Sequence, residues 1–309
     1  MNNYFVLILG VLSAGIGGEL FVRGTVGIAR WARISPGIIG ATVAAFATSS
    51  PELTVSVTAA LLGTPQIALG DALGSNVVNV ALILGIALSI AAIRCSRDSL
   101  KRDFPIALLV PVVTGVLALD SELSQFDGLI MLVMFIAWLV MVIIEVRKQR
   151  SATSEVIGEH QGWLAVLLSI IGFIFLITAG RLIVTGATGI MQALGIDAFV
   201  IGATVVALGT SAPELATIII AKLRRHDEVA LGTILGSNIF NGLLIVSVSA
   251  LIAPIAIAWQ EVTAALLFGI LSVVCLFPSG NGYIDRGRGS LLLVLYVVYI
   301  VVISQQPGN

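Results

Sequence analysis

The sequence predicts an all-α membrane protein: ten transmembrane helices arranged as two inverted five-helix repeats, with helices broken beside two acids at membrane depth. Three observations predict it. Of 309 residues, 58 % are hydrophobic and only 11 % charged, at a mean hydropathy of +1.09, whereas soluble chains carry about 25 % charged residues. Apolar runs of ~20 residues recur along the whole length, too many and too long for buried soluble helices. Residues 39–79 also align without a gap on 201–241, at a constant offset of 162 and with about half the positions identical. The runs are continuous rather than alternating, which excludes an outer-membrane barrel. A net charge of −1 is uninformative about a nucleic-acid partner, but no basic cluster is large enough for one, so none is expected.

Gly, Pro and charge divide the hydropathy into spans at 4–29, 35–62, 67–93, 104–119, 127–146, 163–191, 198–221, 229–252, 261–278 and 289–304. The first Arg, Arg23, lies inside the first apolar run and not before it, so this run is expected to stay as a span and not be removed as a signal peptide. Arg30 and Arg33 close the first span, and Arg94, Arg97, Lys101 and Arg102 follow the third. Arg147, Lys148 and Arg150 follow the fifth, Lys222, Arg224 and Arg225 the seventh, and Arg286 and Arg288 the ninth. The opposite loops carry Asp120, Glu122, Asp127, Asp197 and Glu261 instead. By the positive-inside rule, odd-to-even loops face the cytoplasm and both termini lie outside it.

An odd number of spans per repeat inserts the second copy upside down relative to the first, the plan of many transporters that bind substrate at the midplane. The repeats are 1–146 and 163–309. The polar stretch 147–162 is a cytoplasmic linker too short to form a domain. Cys95 and Cys275 are expected as reduced packing residues at cytoplasmic span ends. His160 and His226 fall in polar loops.

The chemistry concentrates in A-F-A-T-S-S-P-E-L (45–53) and A-L-G-T-S-A-P-E-L (207–215). Pro51 and Pro213 lack an amide hydrogen and disfavour helix at the preceding residue, so each helix is expected to break just before its proline and free carbonyl oxygens. Such oxygens are tolerated at membrane depth only when buried in protein or lining a cavity. Thr48 and Thr210 lie four residues before Glu52 and Glu214, and Ser49 and Ser211 three before. The glutamates sit at the positive end of the resumed helix, which favours their charged form, while burial opposes it. Two such carboxylates facing each other repel unless a cation or proton lies between them. Hard cations such as Ca²⁺ and Na⁺ take oxygen ligands, roughly 6–8 for Ca²⁺.

The second element, G-S-N-V-V-N (74–79) and G-S-N-I-F-N (236–241), places Ser75 with Asn79, and Ser237 with Asn241, four residues apart on one helix face. Gly70, Gly74, Gly232 and Gly236 permit close helix approach. Against this stands the plainer reading, in which Ser, Thr and Asn in spans serve as interhelical donors. That reading suits Asn76 and Asn238, about one residue off the shared face. Asp71, four residues before Ser75, has Thr233 as its counterpart; it either lines the same cavity toward the outer mouth or, the preferred reading, is a solvated vestibule acid. Glu19, Arg23 and Arg181 read as a structural pair and interfacial snorkelling.

At these residues the chain resembles the sodium/calcium exchanger family, within the calcium/cation antiporters, in its compact prokaryotic form. The pattern G-T-S-x-P-E followed by G-S-N-x-x-[N/D] carries the resemblance, across nearly the full length. It implies that Glu52 and Glu214 are central Ca²⁺ ligands. Thr48, Ser49, Thr210, Ser211, Ser75, Ser237, Asn79, Asn241 and the carbonyls of Ala45 and Ala207 would complete the Ca²⁺ and Na⁺ sites. It further implies an inner-membrane antiporter without cofactor, a monomer as functional unit, and alternating access by sliding of the first and sixth spans. Two departures stand out: Ala47 replaces a glycine, and Asn241 stands where many members carry aspartate. Two carboxylates balance one Ca²⁺ or two Na⁺, so a three-Na⁺ stoichiometry is a family inference alone.

The expected function is Na⁺/Ca²⁺ exchange, with a Ca²⁺/H⁺ antiporter as the alternative if Glu52 and Glu214 take protons when Ca²⁺ leaves. A channel is disfavoured because two deep acids hold Ca²⁺ too tightly for rapid conduction. An intramembrane enzyme is disfavoured because neither histidine lies in a span to serve Ser49 or Ser211 as base.

Overall fold

The computed structural model describes residues 3–32, 34, 36–61, 63, 65–97, 99–152, 162–193, 207–257, 259–280 and 282–305. Helix α1 (Asn3–Ala32) precedes a second apolar segment made of α2 (Pro36–Ile39), a π-helical stretch Gly40–Ala44, α3 (Ala45–Thr48) and α4 (Ser50–Leu61). The third segment is α5 (Pro65–Val77), a π-helical stretch Val78–Leu84 and α6 (Gly85–Ile90). After strand β1 (Ile93–Arg94) come α7 (Phe104–Leu117), β2 (Glu122–Leu123), α8 (Gln125–Ala152) and α9 (Gly162–Ala193). Then follow α10 (Ala207–Thr210), α11 (Ala212–Leu223), α12 (Asp227–Ile239), a π-helical stretch Phe240–Ile245 and α13 (Val246–Ile252). Strand β3 (Ile255–Ala256), α14 (Trp259–Cys275), β4 (Tyr283–Ile284) and α15 (Arg286–Ser304) complete the described chain.

Among the described residues, six helical stretches are long and apolar enough to cross a bilayer, and two shorter apolar helices, Gly37–Thr48 and Val262–Cys275, accompany them. Ala68–Ile90 and Asp227–Ile252 are 78 % and 94 % buried, whereas Arg286–Ile303 is 22 % buried. The centre of the molecule is therefore the third segment packed with its counterpart 162 residues later. Lipid offers no hydrophobic drive for helices to associate, so small residues do this work by letting backbones meet. A Cβ on Gly232 would lie 2.5 Å from the Gly37 carbonyl oxygen, and one on Gly236 would lie 2.4 Å from that of Ala41. These contacts press α12 onto the π-helical start of the second segment.

Helices α1 and α9 lie antiparallel along each other, Gly17 meeting Gly172 and Phe175 while Gly24 meets Ala165 and Ser169. The main line holding α1 to other elements runs along α11, where Gly18 abuts the Ala216 backbone and Arg224 bonds Glu19. Glu19 pairs with Arg23 as expected, and Arg224 is the third member that sequence reading missed.

Two short antiparallel ladders tie loops together. In one, Ile93 pairs with Ile284 and Arg94 with Tyr283; in the other, Glu122 pairs with Ala256 and Leu123 with Ile255. Each ladder joins two loops that the charge bias places on the same face of the membrane, and each joins one half of the chain to the other. On one of these faces Lys222 is buried, bonding the Ala92 carbonyl and Asp227, while Asp227 also accepts the Arg94 amide. Helix α8 runs through Ala152, into the stretch expected as linker. Nothing in R-K-Q-R-S-A breaks a helix, and basic side chains suit its negative C-terminal end. The remainder, 153–161 with His160, lies outside the described residues, as does 198–206 of the seventh expected span. Cys95 and Cys275 are free, part-buried thiols; burial pushes the Cys95 thiol up to about 11.

Candidate cation site

The expected breaks before the prolines are narrower than the sequence suggested. One residue leaves helical geometry in each half, and it lies two before the proline: Ser49 (φ −84°, ψ 9°) and Ser211 (φ −80°, ψ 6°). Both occupy the sparsely populated bridge region. Backbone bonds still span the bend, Ser49 N to Ala45 O at 2.9 Å and Leu53 N to Ser49 O at 3.1 Å. The second half repeats them, Ser211 N to Ala207 O at 3.1 Å and Leu215 N to Ser211 O at 3.0 Å. The helices bend without separating because proline is tolerated in a first helical turn, where its missing N–H deprives only the carbonyl four residues back.

The bends bring the two halves together. Glu52 and Glu214 are both fully buried. The Ser49 hydroxyl donates to Glu214 Oε1 at 3.2 Å, and the Ser211 hydroxyl donates to Glu52 Oε1 at 3.4 Å. Each glutamate is thus held by the bend of the opposite half. Ser237 also donates to Glu214 Oε1, at 3.2 Å, and its oxygen lies 3.4 Å from the Thr48 hydroxyl. The other carboxylate oxygens, Glu52 Oε2 and Glu214 Oε2, are buried with no hydrogen-bond partner, as are Ser75 Oγ, Asn79 Oδ1 and both amide atoms of Asn241. Orphaned buried carboxylate oxygens are rare in folded proteins, and the pair on Glu52 and Glu214 fits a positive ligand.

The carbonyls of Ala45 and Ala207 are already in use. Ala45 O accepts Ser49 N and the Thr48 hydroxyl, and Ala207 O accepts Ser211 N and the Thr210 hydroxyl. A carbonyl offers two lone pairs, so each would reach a cation only after its threonine hydroxyl turns away.

Asn76 and Asn238 exchange amide-to-carbonyl bonds of 3.2 and 3.1 Å, the packing role expected of them. Asn79 donates to Asn238 Oδ1 at 3.1 Å. The π-helical turns that begin at Val78 and Phe240 and carry Asn79 and Asn241 were not foreseen. Such turns cluster at functional sites, but they leave no residue-type signature. Asp71 corrects the expectation of a solvated acid: it is 7 % exposed and accepts the Thr210 hydroxyl at 3.3 Å. Among the described residues, no three His, Cys, Asp or Glu side chains gather into one cluster. The donors are instead oxygen-rich and largely neutral, which suits hard cations and not soft transition metals.

The profile described as "Sodium/calcium exchanger protein" matches residues 2–144 and 164–305. The chain belongs to that family. This exchanger-family chain is 34 % identical to the putative antiporter CaxA of Alkalimonas amylolytica, over 91 % of this chain and 92 % of that one. It is 28 % identical to the sodium/calcium exchanger MaX1 of Methanosarcina acetivorans, over 97 % and 98 %. Its fold superposes on that of the sodium-calcium exchanger NCX_Mj, soaked with Na⁺ and Sr²⁺, with a TM-score of 0.83 at 30 % identity, covering 97 % and 98 %. Family and fold are thus those of cation/Ca²⁺ exchangers in a membrane.

Proposed function

We propose that this protein is a secondary antiporter that extrudes Ca²⁺ in exchange for inward Na⁺, both ions competing for one cage built on Glu52 and Glu214. The observation that carries the reading is the crossed pair of bonds: each fully buried glutamate is held by the other half's bend, with one oxygen unpaired. Thr48, Ser49, Thr210, Ser211, Ser75, Ser237, Asn79 and Asn241, with the Ala45 and Ala207 carbonyls, would supply the remaining oxygens. A Ca²⁺ ion needs about 6–8 of them. Because the same carboxylates serve both ions, one displaces the other.

The carrier would comprise ten spans in two inverted repeats of five, as a monomer in the inner membrane with both termini outside the cytoplasm. Alternating access would follow from α1 and α9 sliding together, their mutual contact being far more extensive than their contact with the rest. In reconstituted vesicles, Glu52→Gln and Glu214→Gln should each abolish ⁴⁵Ca²⁺ flux while the protein still elutes as a folded species. Full transport in both variants would end this reading. Efflux driven by a pH step alone, indifferent to external Na⁺, would reassign the coupling ion to H⁺.

A further inference from the structure

The candidate ligand positions carry the same residue type in both halves: Thr48 and Thr210, Ser49 and Ser211, Glu52 and Glu214, Ser75 and Ser237, Asn79 and Asn241. At the buried position beside them the halves differ in charge, with Asp71 in one and Thr233 in the other. Asp71 Oδ1 accepts the Thr210 hydroxyl at 3.3 Å, while Oδ2 is buried with no partner. Among the described residues no basic group forms an ion pair with it. Ser75, one helical turn further along α5, also has a buried hydroxyl oxygen without a partner. The neighbouring Ser211 bonds Glu52, so one bend serves both acids. Yet Asp71 does not join the two glutamates in a single three-acid cluster.

A buried carboxylate facing no cation is costly by several kcal/mol. We propose that Asp71 is a third carboxylate of the transport machinery, holding one Na⁺ in a flanking subsite with Thr210, Ser75 and the Ala207 carbonyl. This rests on the glutamate cage described above. One charge and a few neutral oxygens fall short of what Ca²⁺ requires and suit a monovalent ion. Charge balance supports the same assignment. Asp71 adds a third negative charge to those of Glu52 and Glu214, enough for one more monovalent ion than the glutamates alone neutralise, since Asn241 brings none.

The test measures two fluxes in vesicles holding Asp71→Asn, with Glu52→Gln in parallel. For Asp71→Asn, Na⁺-driven ⁴⁵Ca²⁺ efflux should need about tenfold more Na⁺, with a Hill coefficient lower than that of the wild type. Its Ca²⁺/Ca²⁺ exchange in Na⁺-free medium should persist, changing less than the Na⁺ dependence does. An unaltered Na⁺ dependence, or loss of Ca²⁺/Ca²⁺ exchange in folded protein, overturns the subsite. Loss of both fluxes in Glu52→Gln keeps the glutamate cage standing even if the Asp71 assignment falls, and both retained there removes the cage itself. Should Asp71→Asn not yield folded protein, Asp71→Thr, which places the other half's side chain there, is read by the same two fluxes.

Discussion

Replacing Gly236 by alanine should damage the proposed cation site through the backbone alone. The new methyl would lie 2.4 Å from the Ala41 carbonyl oxygen, 2.7 Å from Ala41 Cα and 2.7 Å from Ala45 Cβ. None of these atoms ends a flexible side chain. Restoring van der Waals contact requires α12 to retreat by about 1 Å. Ser237, the next residue, holds Glu214 at 3.2 Å and Thr48 at 3.4 Å, so a shift of that size breaks both contacts. Overpacking costs about 1–3 kcal/mol and a lost bond to a carboxylate about 1.5–3 kcal/mol. The gain in helix propensity returns only about 1 kcal/mol. Half-saturating Ca²⁺ for ⁴⁵Ca²⁺ uptake should therefore rise by about tenfold or more, with a lower melting temperature in detergent. Gly269→Ala is the control, because its methyl would stand 3.9 Å from Pro111 Cβ and meet ordinary contact. Wild-type Ca²⁺ affinity and melting in Gly236→Ala would refute the argument that backbone contact there positions Ser237.

Other substitutions probe the same geometry. Ser49→Ala and Ser211→Ala each remove one crossed bond to a glutamate, and each should weaken Ca²⁺ by about 1.5–3 kcal/mol; a large effect in one and none in the other would show that the crossing is not functional. Asn76→Ala removes the amide that donates to the Asn238 carbonyl and leaves that buried acceptor without it, while Asn238 still donates to the backbone carbonyl at position 76; the loss should cost about 1 kcal/mol of stability. Thermal unfolding in detergent reads it, and an unchanged midpoint would mean that the pair contributes nothing net.

Much of the candidate site's composition could be read from residue type and spacing. A glutamate after a proline, preceded by threonine and serine and occurring twice, has few uses in a membrane other than holding a cation, because its burial must be offset. Gly232 and Gly236 on α12 likewise announced close helix contact, whereas Gly70 and Gly74, expected to do the same, meet open space and ordinary contact. The bonding pattern was not legible. Ser49 reaches Glu214 rather than Glu52 because the halves interlock, and contact across 165 residues leaves no trace in local spacing. Arg224 likewise reaches Glu19 across 205 residues.

By itself, then, the amino-acid order determined the medium, the doubling, and which oxygens were available, since hydropathy, offset and side-chain chemistry are properties of the chain read in one dimension. Tertiary structure alone decided which oxygens are spent on protein hydrogen bonds and which stay unpaired. It sealed Asp71 away from water, wound Asn79 and Asn241 into π turns, and reduced each proline break to a single bent serine. Those outcomes depend on how closely backbones from opposite halves approach, and that distance is set by packing in three dimensions.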